Sequence, residues 1–451
     1  MKNVHIISLG CARNLVDSEV MAGLLNKDGY AITGQADSAD LIIVNTCGFI
    51  KEAKQESIDT ILEAAQLKNP KKGKCQKLVV AGCMAERYPG ELRESMPEID
   101  LVMGTAGFNH IVKEVEKLEI IEREGSFKES VRIQHERLKD FDLPRVNSQP
   151  FYTAYLKLAE GCAKKCSFCI IPKLRGPLRS RSIEMLSKEA EDLVRTGVRE
   201  LNLIAQDLTD YGRDRKDKAS LDKLLKELVK IKDLDWIRLF YAYPDQLSDE
   251  VITLMKNEQK ICHYLDVPVQ HISDNILEKM NRKSTSKQIR NMLERLKKEI
   301  PDIVLRTSLM VGFPGETKAE FKELLKFVND GLLDHVGVFT YSHEEGTSSA
   351  EKFDDTIPDE EKESRRAQLY EAQQSQLKER LIDWVGREVE VIVEGHHDDT
   401  DLLLKSRHYG QAPGIDNITI INDGDAEVGK FVKVRINEIV GTDLVASVIG
   451  N

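Results

Sequence analysis

Between residues 151 and 355 six short apolar runs recur: Ala154–Leu158, Glu200–Ile204, Trp236–Tyr241, His263–Val267, Ile303–Leu309 and His335–Phe339. Helical patterns fall between them, as in Ile183–Arg195, Leu221–Ile231, Ser286–Glu299 and Lys318–Asn329. A strand that returns through a helix re-enters its sheet parallel to the previous strand. Six such units in series predict a parallel barrel, short of the usual eight, with function at the C-terminal ends of its strands.

The same alternation occupies the first part of the chain. Val4–Leu9, Leu41–Val44, Lys77–Ala81 and a weaker Asp100–Met103 read as strands, with helices at Asp17–Lys27, Lys54–Leu67 and Glu86–Ser95. This predicts a parallel sheet covered on both faces. The polar stretch 122–150 has no clear period and reads as a linker. A charged helix, 359–384, follows the barrel. Beyond residue 385 the segments are short, β-branched and separated by Gly, Asp and Asn, which predicts a small antiparallel barrel of about five strands. The expected fold is multidomain α/β. A doubly wound parallel domain spans 1–140 and a linker 141–150. A (βα)6 partial barrel with its trailing helix spans 151–384, and a small antiparallel β-barrel 385–451.

The chain has 65 Lys and Arg against 76 Asp and Glu, a net charge of −11. That argues against a general nucleic-acid binder. No run of eighteen apolar residues predicts a membrane span, and the first residues lack a signal-peptide layout. A cytoplasmic protein is expected. Eight cysteines in such a chain point to metal ligation or catalysis rather than to disulfides.

Three of them crowd into "LAEGCAKKCSFCIIP", directly after the first barrel strand. Cys162, Cys166 and Cys169 can aim three thiolates at one site from a single loop. Zinc normally takes four N or S ligands, and no nearby Cys or His supplies a fourth. A 4Fe–4S cluster held by three cysteines leaves one iron open to a non-protein ligand. Three further cysteines end successive strands of the first domain: Cys11 in "IISLGCARN", Cys47 in "IIVNTCGFI" and Cys83 in "LVVAGCMAE". Strand ends of a parallel sheet share one edge, so these three can converge. Gly10, Gly48 and Gly82 would let the backbone approach a bulky group. The competing reading is three small residues packed in tight turns. Cys75 and Cys262 break the pattern and read as bland free thiols, Cys75 at the surface.

"CAKKCSFC" resembles the CxxxCxxC motif of the radical S-adenosylmethionine (SAM) superfamily, down to the aromatic Phe168 before the third cysteine. "SLGCARNLVDSE", "NTCGFIKEAKQES" and "AGCMAERYP" resemble the N-terminal domain of the methylthiotransferases. That family joins such a domain to a radical SAM barrel and a C-terminal β-barrel called TRAM. The resemblance covers nearly the whole chain. It implies two 4Fe–4S clusters, one on Cys162, Cys166 and Cys169 that cleaves SAM to a radical, and one on Cys11, Cys47 and Cys83 that holds the sulfur to be transferred. It also places Met310 and Gly312, in "RTSLMVGFPGET", at the SAM adenine. Gln206 and Asp207 end the second barrel strand and so face the site. Glu316 could orient the Gly312 loop. Lys173, Arg175, Arg179 and Arg181 could hold an acidic group or be solvated, and His396–Asp399 ("HHDD") reads as a solvated turn.

"NTCGFI" and "CSFCIIPKLRGPLRSR" resemble the branch that modifies the β-carbon of an aspartate in ribosomal protein S-twelve, rather than the branch that modifies an adenosine of transfer RNA. Residues 382–451 carry 13 acidic and 6 basic residues, a net of −7. An RNA-gripping barrel should be basic, whereas an acidic one suits a basic protein. The expected partners are therefore that protein, an external electron donor and an unidentified sulfur donor, with nucleic acid disfavoured as substrate. The alternatives are a transfer-RNA methylthiotransferase and, outside enzymes, an iron–sulfur electron carrier.

Overall fold

The computed structural model describes residues 2–124, 143–244 and 246–450, with side chains of 119–124 left aside. The first domain is a parallel five-stranded sheet. Its order is Ala31–Ile32, Asn3–Ser8, Leu41–Thr46, Lys77–Gly82 and Leu101–Met103. The chain leaves Asn3–Ser8 in one direction and continues from Leu41–Thr46 in the other, so the strand order switches between these two. Ligands of doubly wound sheets sit in the crevice at such a switch. The central strands carry the apolar runs Leu41–Val44 and Leu78–Ala81, because both faces are covered. Helices Ala12–Lys27 and Ile111–Glu124 cover one face, and Lys51–Gln66 and Pro89–Ser95 the other.

The central domain is an open six-stranded sheet. Thr153–Lys157, Glu200–Ile204, Trp236–Leu239, Ile261–Asp266, Val304–Val311 and His335–Thr340 lie in chain order, every neighbouring pair parallel. The first and last strands are not paired to each other, which makes it a partial barrel. The helices start where the sequence supplies caps: Thr285 with Gln288 and Thr317 with Glu320 form reciprocal capping boxes. The 24-residue helix Asp359–Ile382 packs along the last strand.

The C-terminal domain is a closed five-stranded barrel, Glu388–His397, Thr400–His408, Thr419–Asp423, Phe431–Val440 and Asp443–Val448. It is not antiparallel throughout, since Thr419–Asp423 pairs parallel with Asp443–Val448 to close it. It docks on the central domain through buried charge. Glu200, at the start of the second barrel strand, meets Arg407 at 2.7 Å and Arg238 at 3.1 Å, and all three side chains are fully buried. Trp236 adds an edge contact to Phe431.

Part of the segment expected as a linker lies in 125–142, outside the described residues. Residues 143–150 are packed between the two α/β domains. Arg145 is buried and pairs with Glu19 at 2.5 Å and Glu189 at 2.8 Å. Cys75, expected at the surface, is buried in the first domain's core with Ile42 and Leu78. It lies directly before a strand, so its side chain enters the sheet's cover. Cys262 is likewise buried, inside the fourth barrel strand.

Candidate active site

Sheet register brings the first cysteine trio together. Ser8 stands opposite Asn45, and Thr46 opposite Gly82, so Gly10–Cys11, Cys47 and Cys83 all leave the same edge. A Cβ placed on Gly10 would lie 3.0 Å from the Cys47 sulfur, and one on Gly48 2.9 Å from the Cys83 carbonyl. Only residues without a side chain permit that approach. Cys11 is the N-cap of helix Ala12–Lys27, and Cys83 opens the short helix Cys83–Arg87. Asn14 ties the edge together. Its Nδ2 donates to the carbonyls of Leu9 (3.0 Å) and Thr46 (2.8 Å), while its Oδ1 faces the Cys83 sulfur at 3.7 Å. Ser57 accepts a hydrogen bond from the Cys47 N–H at 3.1 Å.

The electrostatics of the trio are uneven. Burial pushes the Cys83 thiol up to about 12. Burial also opposes ionisation of Cys11, but the cations of Arg13 and Arg175 outweigh it and hold its pKa below the ordinary value. Arg175 is 1% exposed and pairs with Asp17 at 3.0 Å and Glu160 at 2.8 Å, and its other arm donates to Asn14. With Lys157 beside Asp17 and Glu160, these form a buried neutral tetrad joining the two α/β domains.

The second trio is shaped locally. The Cys169 N–H donates to the Cys166 carbonyl at 3.2 Å, and the Lys164 N–H to the Cys162 sulfur at 3.4 Å. Arg282 stands 3.9 Å from the Cys166 sulfur. Burial raises Cys162 to about 11 and Cys169 to about 12, so a cation or metal must supply the charge that makes them thiolates. Among the described residues no three His, Cys, Asp or Glu side chains are arranged to hold a single metal ion. Among the described residues neither trio of sulfurs is joined by a fourth protein ligand.

A cavity of about 410 Å³ opens over the second trio at the barrel's strand ends. Cys162, Cys166 and Cys169 line it from one side, and Arg13, Phe49 and Ile50, the neighbours of Cys11 and Cys47, from the other. Phe168, Tyr243 and Phe339 give it apolar walls. Two of its charged members are neutralised across the domains or within the barrel. Glu344 pairs with Lys54 (2.8 Å) and Arg87 (2.7 Å), and Lys164 pairs with Asp207 (3.2 Å) and Asp210 (3.0 Å). A second cavity of about 620 Å³ reaches Cys11 from the C-terminal barrel, past Tyr241, Tyr155 and Glu394.

Gln206, Asp207 and Met310 line the first cavity. The Gln206 Oε1 is buried without a partner, and Asp207 caps a turn by accepting from Thr209 N–H at 2.8 Å. Gly312 does not line it. Its N–H donates to Glu316, and a side chain there would collide with Lys362, so that glycine serves the packing of the trailing helix. Glu316 is buried and holds that loop through Gly312 and through Arg365 at 3.3 Å. The basic stretch is not a solvated loop. Arg175 and Arg179 are buried, Arg181 pairs with Glu189 at 2.5 Å, and only Lys173 is well exposed. Asp398 and Asp399 are exposed in a hairpin turn. Arg13, Asn14, Asp17 and Arg175 were not singled out as a set from the sequence, since each finds its partner only across folded units.

Three family models match consecutive parts of the chain: the uncharacterized protein family UPF0004 over residues 3–104, the radical SAM superfamily over 156–328 and the TRAM domain over 385–449. Among solved structures, the radical S-adenosylmethionine methyltransferase TsrM from Kitasatospora setae is similar in fold. Its TM-score is 0.55 at 17% identity, covering 75% of this chain and 73% of that one. The chain is 50% identical to the ribosomal protein uS12 methylthiotransferase RimO of Geobacter sulfurreducens over 99% of both chains. It is 49% identical to that of Syntrophotalea carbinolica, over 99% of this chain and 97% of the relative, and 47% identical to that of Bdellovibrio bacteriovorus, over 99% and 98%. With three matching domains in the same order and half its residues shared along its full length, the chain belongs to the RimO family of radical SAM methylthiotransferases.

Proposed function

We propose that this enzyme methylthiolates the β-carbon of an aspartate in ribosomal protein S-twelve, using two 4Fe–4S clusters and two molecules of SAM. The observation that carries the two-cluster part is the single cavity bordered by the barrel trio and by the neighbours of Cys11 and Cys47. The names of the relatives support the substrate. So does the −7 charge of the C-terminal seventy residues, which suits a basic protein better than RNA.

The residues suit their groups. Cys162, Cys166 and Cys169 hold one cluster, and Cys11, Cys47 and Cys83 the other. Three sulfurs apiece leave one iron of each open. Clusters so held would supply reductive cleavage of SAM and a station for transferable sulfur. Arg175 favours the thiolate of Cys11. Gln206, Asp207 and Met310 contact SAM, while Gly312 acts only through the loop that Met310 ends. Phe49, Phe168 and Phe339 keep water from the reacting centre. Electrons come from an external donor, and the reaction takes place in the cytoplasm, where ribosomes are.

The test incubates the anaerobically reconstituted enzyme with SAM, reductant and either the ribosomal protein or transfer RNA, and weighs both. One methylthio group gained on the protein is expected; a gain on the RNA alone overturns the substrate. Iron analysis should find about eight irons per chain, and about four would remove one cluster.

A further inference from the structure

Arg13 is the second residue of helix Ala12–Lys27, whose first turn holds no acidic residue. A cation there opposes the helix dipole, which favours negative charge at this end. Its side chain reaches across the domain boundary. Nη1 donates to the Ala205 carbonyl at 2.7 Å, and the guanidinium stacks on Tyr241 with 4.8 Å to the ring centre. The buried Nε has no hydrogen-bond acceptor, and among the described residues no carboxylate pairs with Arg13, whose anionic neighbour is the Cys11 sulfur. A guanidinium held in this way, against its local preference and short of an acceptor, is set up to receive an anion.

The charges lining the cavity narrow the choice. Asp207 is matched by Lys164, and Glu344 by Lys54 and Arg87. Among the described residues two cations of the cavity remain without a carboxylate, Arg13 and Arg282. Arg282 stands beside Cys166, donates to the Pro268 carbonyl and also has an unpartnered Nε. Its charge therefore faces the barrel trio. Arg13 lies two residues from Cys11 and lines the cavity that Cys162, Cys166 and Cys169 border, so it stands between the trios. The reacting carbon must come to this place to lose hydrogen on one side and gain sulfur on the other.

We propose that Arg13 recognises the carboxylate of the substrate side chain and so positions its β-carbon between the two trios. This rests on the aspartate reading of the substrate, in which the carboxylate is bonded to the reacting carbon. A planar guanidinium can grip both carboxylate oxygens and fix the plane of the side chain.

The test measures binding of a peptide from the ribosomal protein loop, in aspartate and asparagine forms, to the fully reconstituted enzyme. A charge-assisted contact predicts that the native enzyme prefers the aspartate form by roughly tenfold to a hundredfold. In R13Q that preference should vanish, with iron and sulfide content and the electron paramagnetic resonance signals of both clusters retained. R13K should restore part of it. Three results overturn the proposal: no preference in the native enzyme, a full preference in R13Q, or loss of iron from R13Q, which would make Arg13 a support for the cluster. A failure of the substrate reading looks different, because the native enzyme would then transfer its methylthio group to RNA and not to the protein.

Discussion

Cys162, Cys166 and Cys169 lie within eight residues of one loop, whereas Cys11, Cys47 and Cys83 come from three βα units spaced 36 residues apart. The local trio is shaped by its own backbone hydrogen bonds. The dispersed trio is shaped by sheet register, by glycines that admit close approach, and by Asn14 and Arg175 reaching in from elsewhere. A local trio should be damaged only by changes in its loop. A dispersed one should feel changes throughout its domain and at the boundary with the barrel.

The sharpest break separates the trios by function. Cys166→Ala is expected to abolish SAM cleavage, read as 5′-deoxyadenosine. Cys47→Ala should keep SAM cleavage and lose sulfur transfer, and each variant should retain about four irons per chain. A Cys47→Ala enzyme that methylthiolates normally would dissolve the comparison. Next comes the cation that only the dispersed trio has. Arg175→Met leaves Asp17 and Glu160 buried with Lys157 alone, and should cost about 3–5 kcal/mol in denaturant unfolding.

Glu200→Gln tests a boundary remote from both trios and should cost a similar ~3–5 kcal/mol without loss of iron, because two buried guanidiniums lose their carboxylate. Burial pushes Glu200 up, but Arg407 and Arg238 outweigh it and bring it down to about 2. Its unfolded value is about 4.3, so its stabilisation is present above that pH and fades as pH falls toward 2. An acid titration of native protein and E200Q should therefore converge at the low end. Gly48→Ala places a methyl group against the Cys83 backbone and should cost about 1–3 kcal/mol. Its iron loss should be confined to the dispersed trio. The smallest effect belongs to Cys75→Ala, about 1 kcal/mol from a small buried side chain, with iron content unchanged.

The parts legible in the sequence were those with a short period. Runs such as Glu200–Ile204 became strands with the same bounds, because Leu201 and Leu203 recur at the strand period of two and enter the core. Helix starts were less legible. Ala12–Lys27 begins well before Asp17, since Cys11 serves as N-cap without a side-chain hydrogen bond that composition could signal. The barrel's cysteines announced themselves by spacing. Arg175 did not, because it sits among four cations in "KLRGPLRSR" and only the docking of two domains distinguishes the buried ones from the exposed Lys173. Gly312 is ambiguous for a related reason: a glycine at a strand end fits a ligand and a neighbouring helix equally well, and a side chain there would meet Lys362.

The fully buried Glu200 also bears on how such a chain can be inherited. An acidic C-terminal barrel invites the view of a separate module, free to be traded between relatives. Trading it without Arg407 would leave the Glu200 carboxylate with Arg238 alone at the foot of the radical SAM barrel. The segment that presents charge to a partner and the segment that holds SAM must then vary together, so a change of partner is more accessible through outward-facing residues of the small barrel than through its replacement.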